Sequence, residues 1–404
     1  MSHRSERDAV IVAYGRTPIG SFSGSLAEVP ATLLGSTAIK GVLSKLNDKI
    51  KPDEVDSVIM GHVLTGGCGQ ATARQASAGA GVPMNVPSFS VDKVCASGMK
   101  AVALAAVNIQ AGMENICIAG GMESMSRVPF HLDSMRSGRK MGHDQIVDAL
   151  IRDGLWDVYN NEHMGSCTER VNERFGITRE DLDAYAIETN RRARDAYAKG
   201  VFADEIIPVI TSKGVVSVDE QVDRVKPEKL PSLKPSFKPG GCITPGNASP
   251  ISDGAAALVL VSRALASRKG LRPIARVVAS ADAARNPEDF TIAPALAVEK
   301  LLGRTGLQMK DIGVWEFNEA FATVVLANAA ILGEDKINLK DVNILGGALS
   351  LGHPLGCSGA RIICTLITAM KLRSVKYGCA AICNGGGGAS AIILELEDKG
   401  TSPL

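Results

Sequence analysis

The sequence predicts an α/β protein made of two similar halves, with a long segment inserted into the first. Three observations lead there. Strand-like and helix-like stretches alternate along much of the chain, which implies sheets of parallel type covered by helices. Three pieces of the first part recur, in the same order, in the last part. The recurring strands end in glycines, the residue that tight turns and close backbone approaches favour.

Taken in order, "DAVIVAYGRTPIG" reads as a strand and a turn, and "IARVVASADAARNP" reads the same way. "VDSVIMGHV", from Val55 to Val63, has its partner in "IGVWEFNEAF", from Ile312 to Phe321. Ser97-Gly98 opens an alanine-rich helix, and the strand "NICIAGG" that follows ends at Gly120-Gly121. Ser358-Gly359 opens the helix "ARIICTLITAMK", and the strand "CAAICNGGGG" runs out at Gly385-Gly386. Equivalent points lie roughly 255–267 residues apart. The expected division is therefore residues 1–123 for the first half and 124–250 for the insertion. Residues 251–270 return to the first half, and 271–404 form the second.

The insertion carries charged helical sequence. In "TREDLDAYAIETNRRARDAYAKG", Leu182, Tyr185, Ala186 and Thr189 recur at helix spacing. Further on, Pro227, Pro231, Pro235 and Pro239 forbid a continuous helix. Arg224, Lys226, Lys229, Lys234 and Lys238 make the same stretch locally basic. It reads either as a solvated loop or as a site for a phosphorylated ligand.

A formal net charge of +1 excludes a chain-wide basic field for nucleic acid. No apolar run reaches the roughly 20 residues that span a bilayer. The polar residues ahead of Ala9 are too few for a signal or transit peptide of about 15–30 residues, so a cytoplasmic location is expected. The C-terminal "TSPL" is not the Ser-Lys-Leu address. Nine cysteines, irregularly spaced and without a CxxC pair, read as reduced thiols rather than a disulfide frame or structural zinc site.

Two of those cysteines stand at chemically suggestive corners. Cys95, in "SVDKVCASGMKAV", precedes a helix start, where the helix dipole lowers a thiol pKa. Cys383 ends an apolar strand just before "NGGGG", where backbone amides can face a ligand oxygen. His353 is the one histidine of six embedded in a glycine-rich turn that opens a helix. It reads as a base for a nearby thiol or as a cap on the turn. Asn318, where a strand gives way to a helix in "WEFNEAFA", reads as a helix cap or as the holder of a water. Two halves packed face to face could bring all four together.

"VCASGMKA", "GGMESMS", "NEAFA", "GGALSLGHPLGCSGAR" and "CNGGGGASA" occur in this order across essentially the whole chain. Together they resemble the thiolase family. The resemblance implies a five-layered αβαβα core of two mixed-sheet halves, plus a loop domain inserted in the first. It implies that Cys95, activated by His353, takes an acetyl group from acetyl-CoA. Cys383 then removes an α-proton from a second acetyl-CoA, giving acetoacetyl-CoA and CoA in a reversible reaction. One oxyanion site falls to His353 and a water on Asn318. The other falls to the backbone amides of Cys95 and Gly385.

Within the family the chain is most similar to the short-chain, acetoacetyl-CoA type. That likeness implies CoA contacts from His163, Met164, Tyr185, Arg224, Val225, Lys226, Lys229 and Ser249, with no covalent cofactor. Tyr185 is similar to the tyrosine of the potassium-activated mitochondrial type, which implies a potassium site completed by the carbonyls of Pro245, Gly246, Ala248 and Leu349. The same type makes the mitochondrial matrix the alternative location. Pro245 and Leu345 depart from the family's usual alanine and asparagine. Proline keeps its carbonyl, whereas Leu345 removes a local hydrogen-bonding group. A homotetramer is implied, with "SRVPFHLDSMRSGRKMGHD" as its assembly loop. Two rivals stand beside this reading. A ketoacyl synthase shares the fold, but Cys383 stands where it needs another pattern. A thiolase-like acyl-CoA or lipid-binding protein without turnover would not need all four catalytic positions filled.

Overall fold

A computed structural model describes residues 5–333 and 337–397. The first half comprises β1 (Ala9–Arg16), α1 (Ala31–Ser44), β2 (Ser57–Gly61), α2 (Thr72–Gly79), β3 (Ser88–Val91), α3 (Ser97–Gln110) and β4 (Ile116–Ser124). The insertion contributes α4 (Met164–Phe175) and α5 (Arg179–Ala198), after which β5 (Ser252–Ser262) rejoins the first half. The second half comprises β6 (Ala275–Ala284), α6 (Ala293–Thr305), β7 (Ile312–Phe317), α7 (Ala322–Leu332), α8 (Leu355–Arg373), β8 (Tyr377–Asn384) and β9 (Gly388–Leu396).

The strands run in the order β3-β2-β4-β5-β1-β6-β9-β8-β7. The two halves of this list repeat one pattern. β1 pairs antiparallel with β5, β5 with β4, and β4 runs parallel to β2. Likewise β6 pairs antiparallel with β9, β9 with β8, and β8 runs parallel to β7. Even the irregularities match: register shifts between Ile11 and Ala13 in β1, and between Val277 and Ala279 in β6. An extra residue in a strand turns two successive side chains to the same face. Accordingly Val12 and Ala13 both face the outer apolar layer of their half, as do Val278 and Ala279 in theirs.

The layers follow from which faces are apolar. β1 and β5 are buried along their whole length, as strands covered on both sides must be. α1 and α2 cover the outer face of the first half, and α6 and α7 that of the second. α3 and α8 pack on each other in the middle and touch strands of both halves. The result is the five-layered core. α8 is long and apolar enough to cross a bilayer by composition, but 89% of its apolar window is buried here as the central core helix.

Where α3 crosses α8 there is no room for side chains. A Cβ on Gly98 would lie 2.8 Å from the backbone nitrogen of Ala360, and one on Gly359 only 2.3 Å from that of Met99. Backbone therefore meets backbone at the crossing. The insertion is tied in by a buried cluster: Arg16 bonds Glu205 at 2.6 Å and Asp219 at 2.7 Å. Thr368 of α8 donates to the same Glu205 at 2.6 Å. α5 buries Leu182, Tyr185, Ala186 and Thr189 and starts with a Thr178–Asp181 capping box. The proline-rich stretch forms only a short 3-10 turn, Pro227–Ser232.

Candidate active site

The crossing of α3 and α8 sets two corners side by side in the fold, one ahead of each helix. Cys95 stands two residues before α3, and His353 two residues before α8. The Cys95 corner is held under tension. Val94 has φ 47, a left-handed conformation that a β-branched residue adopts only where its surroundings impose it. Ser97 does part of that work, accepting from the Lys93 amide at 2.8 Å and donating to the Val94 carbonyl at 2.6 Å. Lys93 anchors the loop to the second half through Asn384, the Ala389 carbonyl and Ser390.

The helix start does not lower the Cys95 pKa as the sequence led us to expect. Burial dominates and pushes the thiol up to about 12; the backbone amides of Gly385 and of Cys95 itself pull the other way by less. At rest Cys95 is a thiol. The two amides that act on its sulfur come one from each half of the protein. Cys383, at the end of β8, is also fully buried. Burial, and then the proximity of Cys95, push its thiol far above the usual range.

His353 is 6% exposed. Burial, and secondarily the charge of Arg361, push its imidazole down to about 3, so the ring is neutral at physiological pH. Its Nδ1 lies 2.6 Å from Ser358 Oγ, whose own hydrogen is donated to the Pro354 carbonyl at 2.8 Å. Ser358 must then accept from Nδ1–H, which leaves Nε2 unprotonated, an acceptor that faces Asn318 Nδ2 at 3.4 Å. A neutral ring with an unprotonated Nε2 has the chemistry to accept a proton.

Asn318 does not cap α7: the N-cap is Phe321, with no side-chain bond. Instead the Asn318 Nδ2 sits 3.4 Å from Nε2 and 3.5 Å from Nδ1 of His353, and its buried Oδ1 has no partner among the described residues. That oxygen can hold a water. The next residue, Glu319, is fully buried, and four groups donate to it: the Tyr185 and Thr189 hydroxyls, Asn343 Nδ2 and the Leu349 amide. Tyr185 is thus buried behind the Asn318 turn, with its hydroxyl committed to Glu319.

Asn343 was not singled out in the sequence. It also has φ 47, and its amide brackets Phe317, accepting from the amide and donating to the carbonyl at 2.9 Å each. The departure at Leu345 is harmless, because that side chain packs in the middle apolar cluster while Asn343 supplies the hydrogen bonds.

Apolar groups surround Gly385 and His163. A Cβ on Gly385 would meet Val94 at 3.6 Å and Met164 at 3.7 Å. His163 stacks on Phe237 at 4.6 Å, and Phe237 meets Phe321 edge-on at 6.3 Å. Phe237 escaped the sequence reading; its signal is Gly165, where a Cβ would collide with that ring at 2.3 Å. Ser249 donates through its amide and hydroxyl to the Ala320 carbonyl, beside the Asn318 turn. Arg224, Lys226 and Lys229 are exposed and Val225 half-buried, on the segment entering the 3-10 turn. Arg224 pairs with Glu220 and Lys238 with Glu173, but Lys226, Lys229 and Lys234 have no acidic partner among the described residues. Pro245, Gly246 and Ala248 lie just ahead of Ser249; Leu349 contributes its amide to Glu319. All nine cysteines are free.

Comparisons with known proteins agree with this geometry. The family model described as "Thiolase, N-terminal domain" matches residues 9–264, and "Thiolase, C-terminal domain" matches 271–396. "Acetyl-CoA acetyltransferase 2" of Arabidopsis thaliana is 51% identical over 407 residues, covering 98% of this chain and 100% of that protein. "Acetyl-CoA acetyltransferase A, mitochondrial" of Xenopus laevis is 48% identical, covering 98% of this chain and 93% of that protein. Names among the relatives carry both mitochondrial and cytosolic labels. A crystal structure of the Acat5 thiolase from Ascaris suum in complex with coenzyme A superposes with a TM-score of 0.91 at 43% identity, covering 96% of this chain and 100% of that one.

Proposed function

The chain belongs to the thiolase family, and from that premise we propose that it is an acetyl-CoA C-acetyltransferase. It joins two acetyl-CoA molecules into acetoacetyl-CoA and CoA, or runs the reverse thiolysis, with acetyl-CoA and CoA as the acyl carriers. The observation that carries this reading is the sulfur of Cys95. It lies near two backbone amides and near a second buried thiol, Cys383.

His353 Nε2 takes the Cys95 proton as the sulfur attacks the thioester carbonyl. The amides of Cys95 and Gly385 receive the oxyanion. The departing CoA thiolate needs a proton, and Cys383 is the acid that remains. Cys383 is then the thiolate that removes an α-proton from the second acetyl-CoA. The enolate oxygen is held by the protonated His353 Nε2 and a water on Asn318. Attack on the acetyl-cysteine forms the carbon–carbon bond, and Cys95 recovers its proton from His353. Two thiols are needed because a sulfur carrying the acyl group cannot also be the base.

Met164, His163, Phe237 and Phe321 suit the apolar pantetheine arm, and the unpaired Lys226 and Lys229, with Arg224, suit the CoA phosphates. A potassium ion is a further part of the proposal. The Tyr185 hydroxyl and the carbonyls of Pro245, Gly246, Ala248 and Leu349 would hold it. An all-oxygen set suits a hard cation, and the buried Glu319 makes no ion pair among the described residues. The ion would brace the Asn318 turn. The homotetramer is supported by exposed Phe130, Met135 and Met141 in the proposed assembly loop. A cytoplasmic placement, with the mitochondrial matrix as the alternative, is tested by cell fractionation.

The deciding experiment is incubation with acetyl-CoA followed by intact mass measurement and product assay. Wild type is expected to gain one acetyl group on Cys95 and to release acetoacetyl-CoA, and Cys95→Ala to do neither. CoA binding without an adduct would favour a binding protein instead.

A further inference from the structure

β7 carries a residue that its layer does not ask for. Val314 belongs to the middle apolar cluster with Ile363, Leu366 and Ile367, whereas Trp315 and Phe317 belong to the outer one. Alternation along the strand therefore turns Glu316 into the middle layer, among apolar side chains. Facing it from the second turn of α8 is Arg361. Both side chains are 1% exposed, and their nearest charged atoms are 3.8 Å apart. That is too long for a hydrogen bond. Among the described residues, neither carboxylate oxygen of Glu316 and none of the three guanidinium nitrogens of Arg361 has a hydrogen-bond partner.

For stability alone, two apolar residues of similar volume would serve as well or better. The connections of the pair suggest what it does. Glu316 lies two residues before Asn318 on the same run of chain. Arg361 lies three residues after Ser358, whose hydroxyl fixes the His353 ring. The pair thus spans the two supports that hold Asn318 and His353 against each other.

We propose that Glu316 and Arg361 are a positioning pair, bridged by buried water, that sets the strand carrying Asn318 against the helix carrying Ser358 and so fixes the His353–Asn318 oxyanion site. This rests on the thiolase reading of that site. Water suits the pair because one molecule set beside their 3.8 Å approach can accept from the guanidinium and donate to the carboxylate, and buried waters make about three such bonds. Arg361 is also the charge that acts on His353, in the same direction as burial. The other charges around Glu316 are Glu319, Glu205 and Arg192.

The test compares wild type, Arg361→Lys and the double variant Glu316→Gln/Arg361→Met, which removes both charges of the pair together. The double variant is expected to keep KM for acetyl-CoA within about twofold while kcat falls at least about tenfold. The acid-side fall of its kcat/KM is expected to begin at higher pH, because His353 has lost a neighbouring cation. Arg361→Lys, which keeps the charge, should leave that limb in place. A double variant with wild-type kcat and an unmoved limb would overturn the proposal. A high-resolution crystal structure of the wild-type protein checks it without any variant. A water bonded to both side chains is expected, and a dry gap or a direct bidentate bond would sink the bridge. Wild type that forms neither acetyl-Cys95 nor acetoacetyl-CoA would refute the function itself; active wild type with an indifferent variant would refute only the pair.

Discussion

His353 Nδ1 and Ser358 Oγ lie 2.6 Å apart, and the serine hydrogen is already committed to the Pro354 carbonyl. That commitment selects one tautomer of the imidazole. In Ser358→Ala the ring is free to turn or to move its proton to Nε2, where it can no longer accept from Cys95. Losing one such bond, about 1.4 kcal/mol, corresponds to about tenfold in rate. Steady-state kinetics should show that loss in kcat, with KM for acetyl-CoA nearly unchanged.

Acid should unfold the protein partly through His353. Its folded pKa, about 3, lies below the unfolded value of about 6.5. The unfolded chain therefore binds the extra proton between those values, and stability is lost as pH falls through that window. Urea unfolding at pH 7 and pH 4.5 should differ by about 2–3 kcal/mol more in wild type than in His353→Asn. Equal losses in both proteins would show that other groups set the acid limit.

Two glycines of "NGGGG" should respond in opposite ways. Gly387 has φ 82, and a Cβ there would sit 2.3 Å from the Arg285 carbonyl oxygen. Gly387→Ala should cost about 2–3 kcal/mol in urea unfolding. At Gly385 a Cβ meets its nearest neighbours at 3.6 Å and 3.7 Å, ordinary contact distances. Gly385→Ala should leave the unfolding midpoint nearly unchanged while slowing acetylation of Cys95, since the new methyl group points at the Val94–Met164 wall.

Potassium should raise activity or CoA affinity when it replaces sodium at equal ionic strength, and Tyr185→Phe should abolish that difference. Identical rates in the two salts would remove the ion from the proposal.

What the sequence made legible was local or repeated. The Cys95 and His353 corners announce themselves through Ser-Gly helix starts and glycine punctuation, and the strand-and-helix order of the halves repeats closely enough to be seen in letters. The bulges in β1 and β6 are invisible there, because an extra residue in a strand leaves no mark on composition. Arg16 with Glu205, and Glu316 with Arg361, were also missed. Each joins residues far apart in the chain, and a charged residue in isolation reads as a surface residue. The Cys95 pKa was read in the wrong direction for a related reason. The helix start is local, but the burial that outweighs it is supplied by the second half of the protein.

The crossing at Gly98 and Gly359 has one further consequence. Because main chain abuts main chain there, the spacing of the Cys95 and His353 corners is set by a hard stop rather than by the sum of many soft contacts. The surrounding apolar side chains, such as Ile363 and Leu366, can trade volume with one another without detuning the reaction. Such a core can drift in composition over long periods while its chemistry holds still, and the intolerance falls on glycines such as Gly98 and Gly359, which cannot gain a single methyl group.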